Sequence, residues 1–359
     1  MGLIFRAMNS RERVFASLKR QTPDRVPVGE IGGGYAEDIV QAILGADYRT
    51  EGDAYFQNHL NLRKRLGADL AGARVYGPDV EVTGVHPEWG TDLFSDYWGA
   101  TYTQPPDATV QLVTPIATTP EELDAWEPPD LDIFDDTMIR RWKTETDLFV
   151  LTIMNAGFDL GYELIGFENF MMWTVMAPDI MRGYYKKLID VNRGLAKKAI
   201  AADTDAILIA DDLAFNTGTF VDPGYLRSDY FPLLKEFVQE IKATGMPVFF
   251  HSDGDLRTII PDLIDCGIDV LQSCDPNANM DIPTLKNEYG DHLAFMGNID
   301  VDLLAHGSPA EVSRQTEKLI RAAGPGGGFI LSAANVVAKY CKPENVLAMY
   351  AKANEVKLV

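Results

Sequence analysis

From residue 205 onward the chain repeats one pattern. A short apolar run meets a turn of Gly, Pro or Asp, and a longer stretch follows whose apolar residues recur every three or four positions. Strands that alternate with helices are parallel, because each helix carries the chain back across the sheet. Eight runs read as buried strands: Val26–Ile31, Leu70–Tyr76, Phe149–Met154, Ala206–Ala210, Pro247–His251, Val270–Ser273, Leu293–Gly297 and Phe329–Ser332. Several are short, β-branched or aromatic, and bounded by Gly, Pro or Asp, as expected of parallel strands covered on both faces. Helical patterns cover Asp179–Ala202, Pro223–Ala243, Asp255–Cys266, Pro309–Ala323 and Pro343–Asn354. Ser308 is placed to cap the fourth of these, and Gly245, Gly267 and Gly324 stand where helices stop. The expected fold class is α/β, a (β/α)8 TIM barrel formed by residues 1–359 as a single domain. A doubly wound open sheet is the alternative, but no GxGxxG turn follows a first strand.

Residues 77–148 break the alternation. Short alternating runs such as Ala100–Gln104 and Thr109–Thr114 lie among Pro105-Pro106 and Pro128-Pro129. This reads as an inserted hairpin and loop region over the barrel mouth.

Charge narrows the partners. Lys and Arg total 32 against 53 Asp and Glu, a formal charge of -21. Such a field repels phosphate backbones and anionic lipid, so no nucleic acid and no membrane surface is expected. No apolar run approaches the about 20 residues that span a bilayer. The start, MGLIFRAMNSRERV, does not read as a secretory leader. Cys266, Cys274 and Cys341 form no CxxC pair and no disulfide framework. A cytoplasmic enzyme is the expectation. A homodimer is left open.

In such a barrel, chemistry gathers where strands end at their carboxyl side. Those ends carry Asn155, Asp211, Asp212, His251, Asp253, Cys274, Asn298, Asp300, Ser332 and Asn335. His251 and Asp253 are two apart on an extended strand and point the same way. They suit a divalent cation, or a histidine oriented by an acid, and a polar turn that satisfies the histidine is the alternative. Successive residues face opposite sides, so one of Asp211 and Asp212 reaches the pocket, and Asp212 is favoured by position. An aspartate capping the next segment is the alternative there. Glu163 and Glu168 follow the third strand and are placed to reach the mouth. Cys274 at a strand end is the more interesting thiol, and Lys339 and Lys342 would lower the pKa of Cys341 if it were exposed. Trp89, Tyr97, Trp98 and Trp173 either line the pocket or belong to the core.

Several stretches carry a family resemblance. These are Asn9–Val14 with Thr22–Val28, Asp96-Tyr97-Trp98-Gly99, Ile209–Leu213, His251-Ser252-Asp253-Gly254, Phe295–Asp300 and Pro343-Glu344-Asn345. In this order they resemble uroporphyrinogen-decarboxylase-type proteins, on the corrinoid-dependent methyltransferase and O-demethylase branch. The resemblance implies a (β/α)8 barrel that moves a methyl group between a small molecule and a corrinoid carrier protein, with zinc as the usual activator. The decarboxylases carry an early R-Q-A-G-R-Y-type clamp for porphyrin carboxylates, whereas this chain reads Val28–Tyr35 there, without the arginines. The methyltransferase pattern holds zinc by H-x-C and a distant Cys. Here His251 is kept, Asp253 replaces the first Cys, and Asn335 lies near the second position.

The resulting expectation assigns Asp212, His251 and Asp211 to catalysis. Asn155, Trp98, Cys274, Asn298 and Asn335 are assigned to substrate binding, and His251, Asp253 and Glu168 to a metal. An oxygen-rich metal site favours an ether donor over a thiol, which points to a small methoxylated compound, with methylamine or thiol donors behind it. A decarboxylase-like lyase and a non-catalytic small-molecule-binding paralogue are the rivals.

Overall fold

The computed structural model describes residues 8–31, 34–105 and 109–358. Residues 1–7, which enter the leader reading, and Gly32, Gly33 and Pro106 lie outside them. Seven strands form one parallel sheet: β1 (Leu70–Ala73), β6 (Phe149–Met154), β7 (Ala206–Ala210), β10 (Val248–Ser252), β11 (Val270–Ser273), β12 (Ala294–Ile299) and β13 (Phe329–Ala333). Their order in the sheet follows the chain, and each is joined to the next by at least one helix. Three strands have the expected bounds, and the others shift at their ends by one to three residues.

The sheet is curled around a core of its own. One buried cluster holds Leu70, Phe149, Leu151, Ile153, Ala206, Leu208, Ala210, Phe249, Val270, Ala294, Met296 and Ile330. The alternate residues, among them Val150, Ile207, Ile209, Val248, Phe250, Leu271, Phe295 and Leu331, pack in the larger cluster with the surrounding helices. This period-two division makes each strand apolar on both faces, and it is the packing of a TIM-barrel-like fold.

The expected first strand, Val26–Ile31, is not regular. It makes one parallel bridge, Val28 with Leu331. Gly29 N donates to Leu331 O (3.0 Å), Leu331 N donates to Pro27 O (2.8 Å) and Asp69 N donates to Val28 O (2.7 Å). The segment therefore touches β13 on one side and the start of β1 on the other. Pro27 has no N–H to continue a ladder, which cuts the strand short.

The 77–148 region holds more structure than a hairpin. Four strands, β2 (Glu81–Val85), β3 (Asp92–Ser95), β4 (Thr101–Thr103) and β5 (Gln111–Thr114), form an antiparallel meander. Helices Pro120–Ala125 and Thr137–Glu145 follow. After β7 a two-stranded hairpin, β8 (Ala214–Phe215) with β9 (Gly218–Thr219), turns back over its end.

The expected helices shift at their ends, except Pro309–Ala323, whose Ser308 makes a capping box with Glu311. The stretch read as one helix over Pro223–Ala243 is a short turn, a π-helical turn at Leu226–Tyr230 and the helix Phe231–Lys242. The stretch from Asp255 becomes helical only at Ile260. Among the described residues no helix is long and apolar enough to cross a membrane.

Candidate active site

Strand parity decides which acid enters the site. Ala210 faces the inner cluster, so Asp212 continues inward, whereas Asp211 continues the outward row of Ile207 and Ile209. Asp211 is fully buried against the start of helix Phe158–Ile165. It accepts from Phe158 N and Asp159 N, each at 3.0 Å, and from the Tyr230 hydroxyl. Burial raises its pKa to about 6, against the pull of those donors. Asp211 thus acts as the anion at a helix N-terminus. Its oxygens are taken up by that helix and by Tyr230, and Asp211 does not join the group formed by Asp212.

Asp212 meets His251 and Asp253. One ligand atom from each of the three lies within 4.8 Å of the others. His251 Nε2 stands 3.7 Å from Asp212 Oδ1. Asp253 N donates to Asp212 Oδ1 (2.8 Å), while Leu213 N donates to Ser252 Oγ (3.0 Å), so the turn after β7 is pinned against β10. Asp253 accepts from Ser273 Oγ (2.7 Å) and from Asn335 Nδ2 (2.6 Å).

Gln272 Oε1 faces His251 Nδ1 in a short hydrogen bond. An amide oxygen only accepts, so Nδ1 carries a proton and Nε2, which faces Asp212, is the nitrogen left for a metal. This is the tautomer a metal ligand needs, with its outer nitrogen already held. The donors are one imidazole nitrogen and carboxylate oxygens, a set that fits zinc and harder divalent cations. Gln272 and Ser273 were not singled out from the sequence.

Other expected site residues are placed differently. Cys274 is buried, its Sγ lies 3.7 Å from Leu271 O, and burial pushes its thiol far above the ordinary range. Asn298 Nδ2 is spent on the carbonyls of Cys274 (2.7 Å) and Met280 (3.0 Å). Both residues hold loops, and neither offers those groups to a ligand. Glu168 lies on the exposed side of helix Phe167–Met176 and does not join the metal-type group. Cys341 is buried, so the exposure under which the lysines would lower its pKa is not met, and burial raises it instead.

Asn155 and Trp98 line a cavity of about 600 Å³ at the ends of β1 and β6, under the meander. Phe94, Tyr97, Tyr102, Tyr162 and Phe167 supply aromatic walls, and Asn155 Nδ2 donates to Asp159 Oδ1 (2.6 Å). Arg74 and Glu163 face this space. Glu163 keeps solvent access, yet crowding of its carboxyl by the cavity walls pushes it up, opposed by Arg74 and assisted by Asp212. The metal-type group does not line this cavity. His251 and Asn335 instead line a separate one of about 60 Å³, with Glu30, Ile31, Gly34, Gln272 and Val336.

Residues 93–356 match the family model described as "Uroporphyrinogen decarboxylase (URO-D)". The chain belongs to the URO-D family. Within it, a methylated-thiol–coenzyme M methyltransferase of Methanosarcina mazei is 22% identical over 67% of this chain and 61% of its own length. A uroporphyrinogen decarboxylase of Chlorobaculum tepidum is 28% identical over 41% of this chain and 40% of its own. The matched stretches thus span between 40 and 61% of those two relatives. A solved structure titled "methyltransferase from Methanosarcina mazei" superposes with a TM-score of 0.72, at 18% identity, over 97% of this chain and 99% of that one. It establishes that the URO-D chain shares that protein's fold. The two positions where the resemblance places zinc cysteines are Asp253 and the neighbourhood of Asn335, and here these two side chains bond directly to each other.

Proposed function

We propose that the chain transfers a methyl group from a small methylated compound, a methyl ether in first place, to the cobalt of a corrinoid carrier protein. The observation that carries this reading is the convergence of Asp212, His251 and Asp253 at the carboxyl end of the curled sheet. The methyltransferase names of one relative and of the structural neighbour support it. A divalent cation held there, zinc in first place, supplies Lewis-acid polarisation of the heteroatom that bears the methyl.

The chain's own residues do the rest. Gln272 fixes the imidazole tautomer, and Ser273 with Asn335 holds Asp253 in place. The aromatic cavity beside Asn155 takes the body of the donor. No protein nucleophile is required, in keeping with three buried thiols. We further read the 26–31 segment as the eighth stave that closes the barrel, residues 1–359 as one domain, and the cytoplasm as its compartment.

Metal content of the purified protein, beside a His251→Ala variant, tests the site. The expected outcome is about one divalent ion per chain in the parent and none in the variant. Methyl transfer from a methyl ether to reduced cobalamin should fall at least about 100-fold in the variant. A metal-free parent that stays metal-free after zinc is added sinks the reading. The decarboxylase alternative is disfavoured because Arg74 is the single cation among the described residues that line the aromatic cavity, too few for a polycarboxylate.

A further inference from the structure

Glu30 is a buried carboxylic acid outside the metal-type group. It is 4% exposed, on the segment between β13 and the start of β1. Its oxygens accept from Ala333 N, at 3.1 and 3.2 Å. Tyr350 Oη donates to Oε1 (3.1 Å), and the Tyr35 hydroxyl stands 2.5 Å from that of Tyr350. Neither Asp212, His251 nor Asp253 is among these partners. Yet Glu30, His251, Gln272 and Asn335 line one cavity of about 60 Å³, with room for a few waters. A charged carboxylate in such a place is expensive, and the neutral acid is less so.

We propose that Glu30 is the proton source for the leaving heteroatom, passing its proton across the small cavity that it shares with His251. The inference rests on the methyl-transfer reading. In R–X–CH3 the X–C bond breaks and its electron pair stays on X. The Co(I) corrinoid supplies the pair of the new Co–C bond and becomes Co(III)–CH3. X takes the proton from the Glu30 carboxyl, which is left as a carboxylate and is recharged from solvent, so the products are R–XH and the methylated carrier. Glu30 acts through cavity water, and it is a positioning and proton-supplying residue rather than one that touches the substrate.

Burial raises the Glu30 pKa to about 8, while Ala333 N, the Tyr350 hydroxyl and the charge of Arg63 pull it down. Tyr35 and Cys341 also feel its charge, and His251 faces the same cavity. The acid is therefore protonated at neutral pH and loses its proton as the pH passes about 8.

The test compares methyl transfer from an alkyl methyl ether and from an aryl methyl ether with an acidic phenol, across pH, in the parent, Glu30→Gln and Tyr350→Phe. An alkoxide needs the proton and a stabilised phenoxide hardly does. Glu30→Gln should lose about 100-fold or more on the alkyl ether and keep the aryl rate within about threefold. Its metal content should match the parent, and the alkaline fall in rate should vanish. Tyr350→Phe removes a bond that favours the carboxylate, so its alkaline fall should move to higher pH. A parent that methylates cobalamin from neither ether overturns the methyl-transfer reading and this inference with it. A working parent whose pH limb and leaving-group sensitivity survive in Glu30→Gln, or stay unmoved in Tyr350→Phe, overturns this inference alone.

Discussion

His251 shows how much of a site one strand can announce. The spacing of two put His251 and Asp253 on one face, and parity selected Asp212 over Asp211. Gln272 was invisible because its role depends on a neighbouring strand. The register that pairs His251 with Gln272, and Ser252 with Ser273, brings the amide to the imidazole and the hydroxyl to Asp253. Nothing local in Val270–Ser273 signals that pairing. Glu30 was hidden likewise, since its partners Ala333 and Tyr350 lie some three hundred positions away in sequence. Cys274 and Asn298 show that a strand end looks the same in sequence whether its side chain serves a ligand or a loop. Gln272→Leu fills similar space but frees Nδ1 and the ring orientation. Metal affinity, measured by competition with a chelator, should fall about 10- to 100-fold while the melting temperature changes little. Unchanged affinity would show that the tautomer is set by something other than Gln272.

At the level of elements, legibility followed burial. Strands apolar on both faces, such as Phe149–Met154 and Ala206–Ala210, declare their own ends, because a polar residue, Asn155 or Asp211, stops each run. The meander does not, because β2 is exposed along most of its length and its pairing depends on partners rather than on its own composition. At the opposite end of the sheet from the site, Asp69 joins three elements. It is fully buried and binds Arg13 Nη1 (2.7 Å), Arg25 Nη1 (2.6 Å) and Val28 N (2.9 Å). One carboxylate thus ties helix Ser10–Leu18, the 25–28 segment and the start of β1. Asp69→Asn leaves Arg25 with no carboxylate at that spot, while Arg13 keeps Asp24. Breaking such a pair costs about 3–5 kcal/mol. Urea unfolding should show that loss, with metal content and activity kept at low temperature. Loss of metal in the folded variant would mean that the two ends of the sheet are coupled.

For the whole molecule, the strand–helix alternation and the charge were readable, but how the charge is distributed was not. Many acids are paired locally, as Arg140 with Asp136, Arg141 with Asp53 and Lys186 with Asp190. Exposed pairs of this kind contribute between about 0 and 1 kcal/mol each. With 53 acids and 32 bases, pairing leaves a formal charge of -21. That excess repels itself over tens of ångströms in the folded state and over longer distances in the unfolded chain. Salt acts unequally on these two terms. The Debye length shrinks from about 30 Å at 0.01 M to about 8 Å at 0.15 M, which removes most of the long-range repulsion but little of a contact pair. The melting temperature at pH 7 should therefore rise between those salt concentrations, and sodium and potassium chloride should act alike, because the effect depends on ionic strength alone. A fall over that range would mean that the ion pairs outweigh the net repulsion. A rise confined to divalent salts would instead indicate a cation bound at a defined site, and Asp212, His251 and Asp253 would be the first place to look for it.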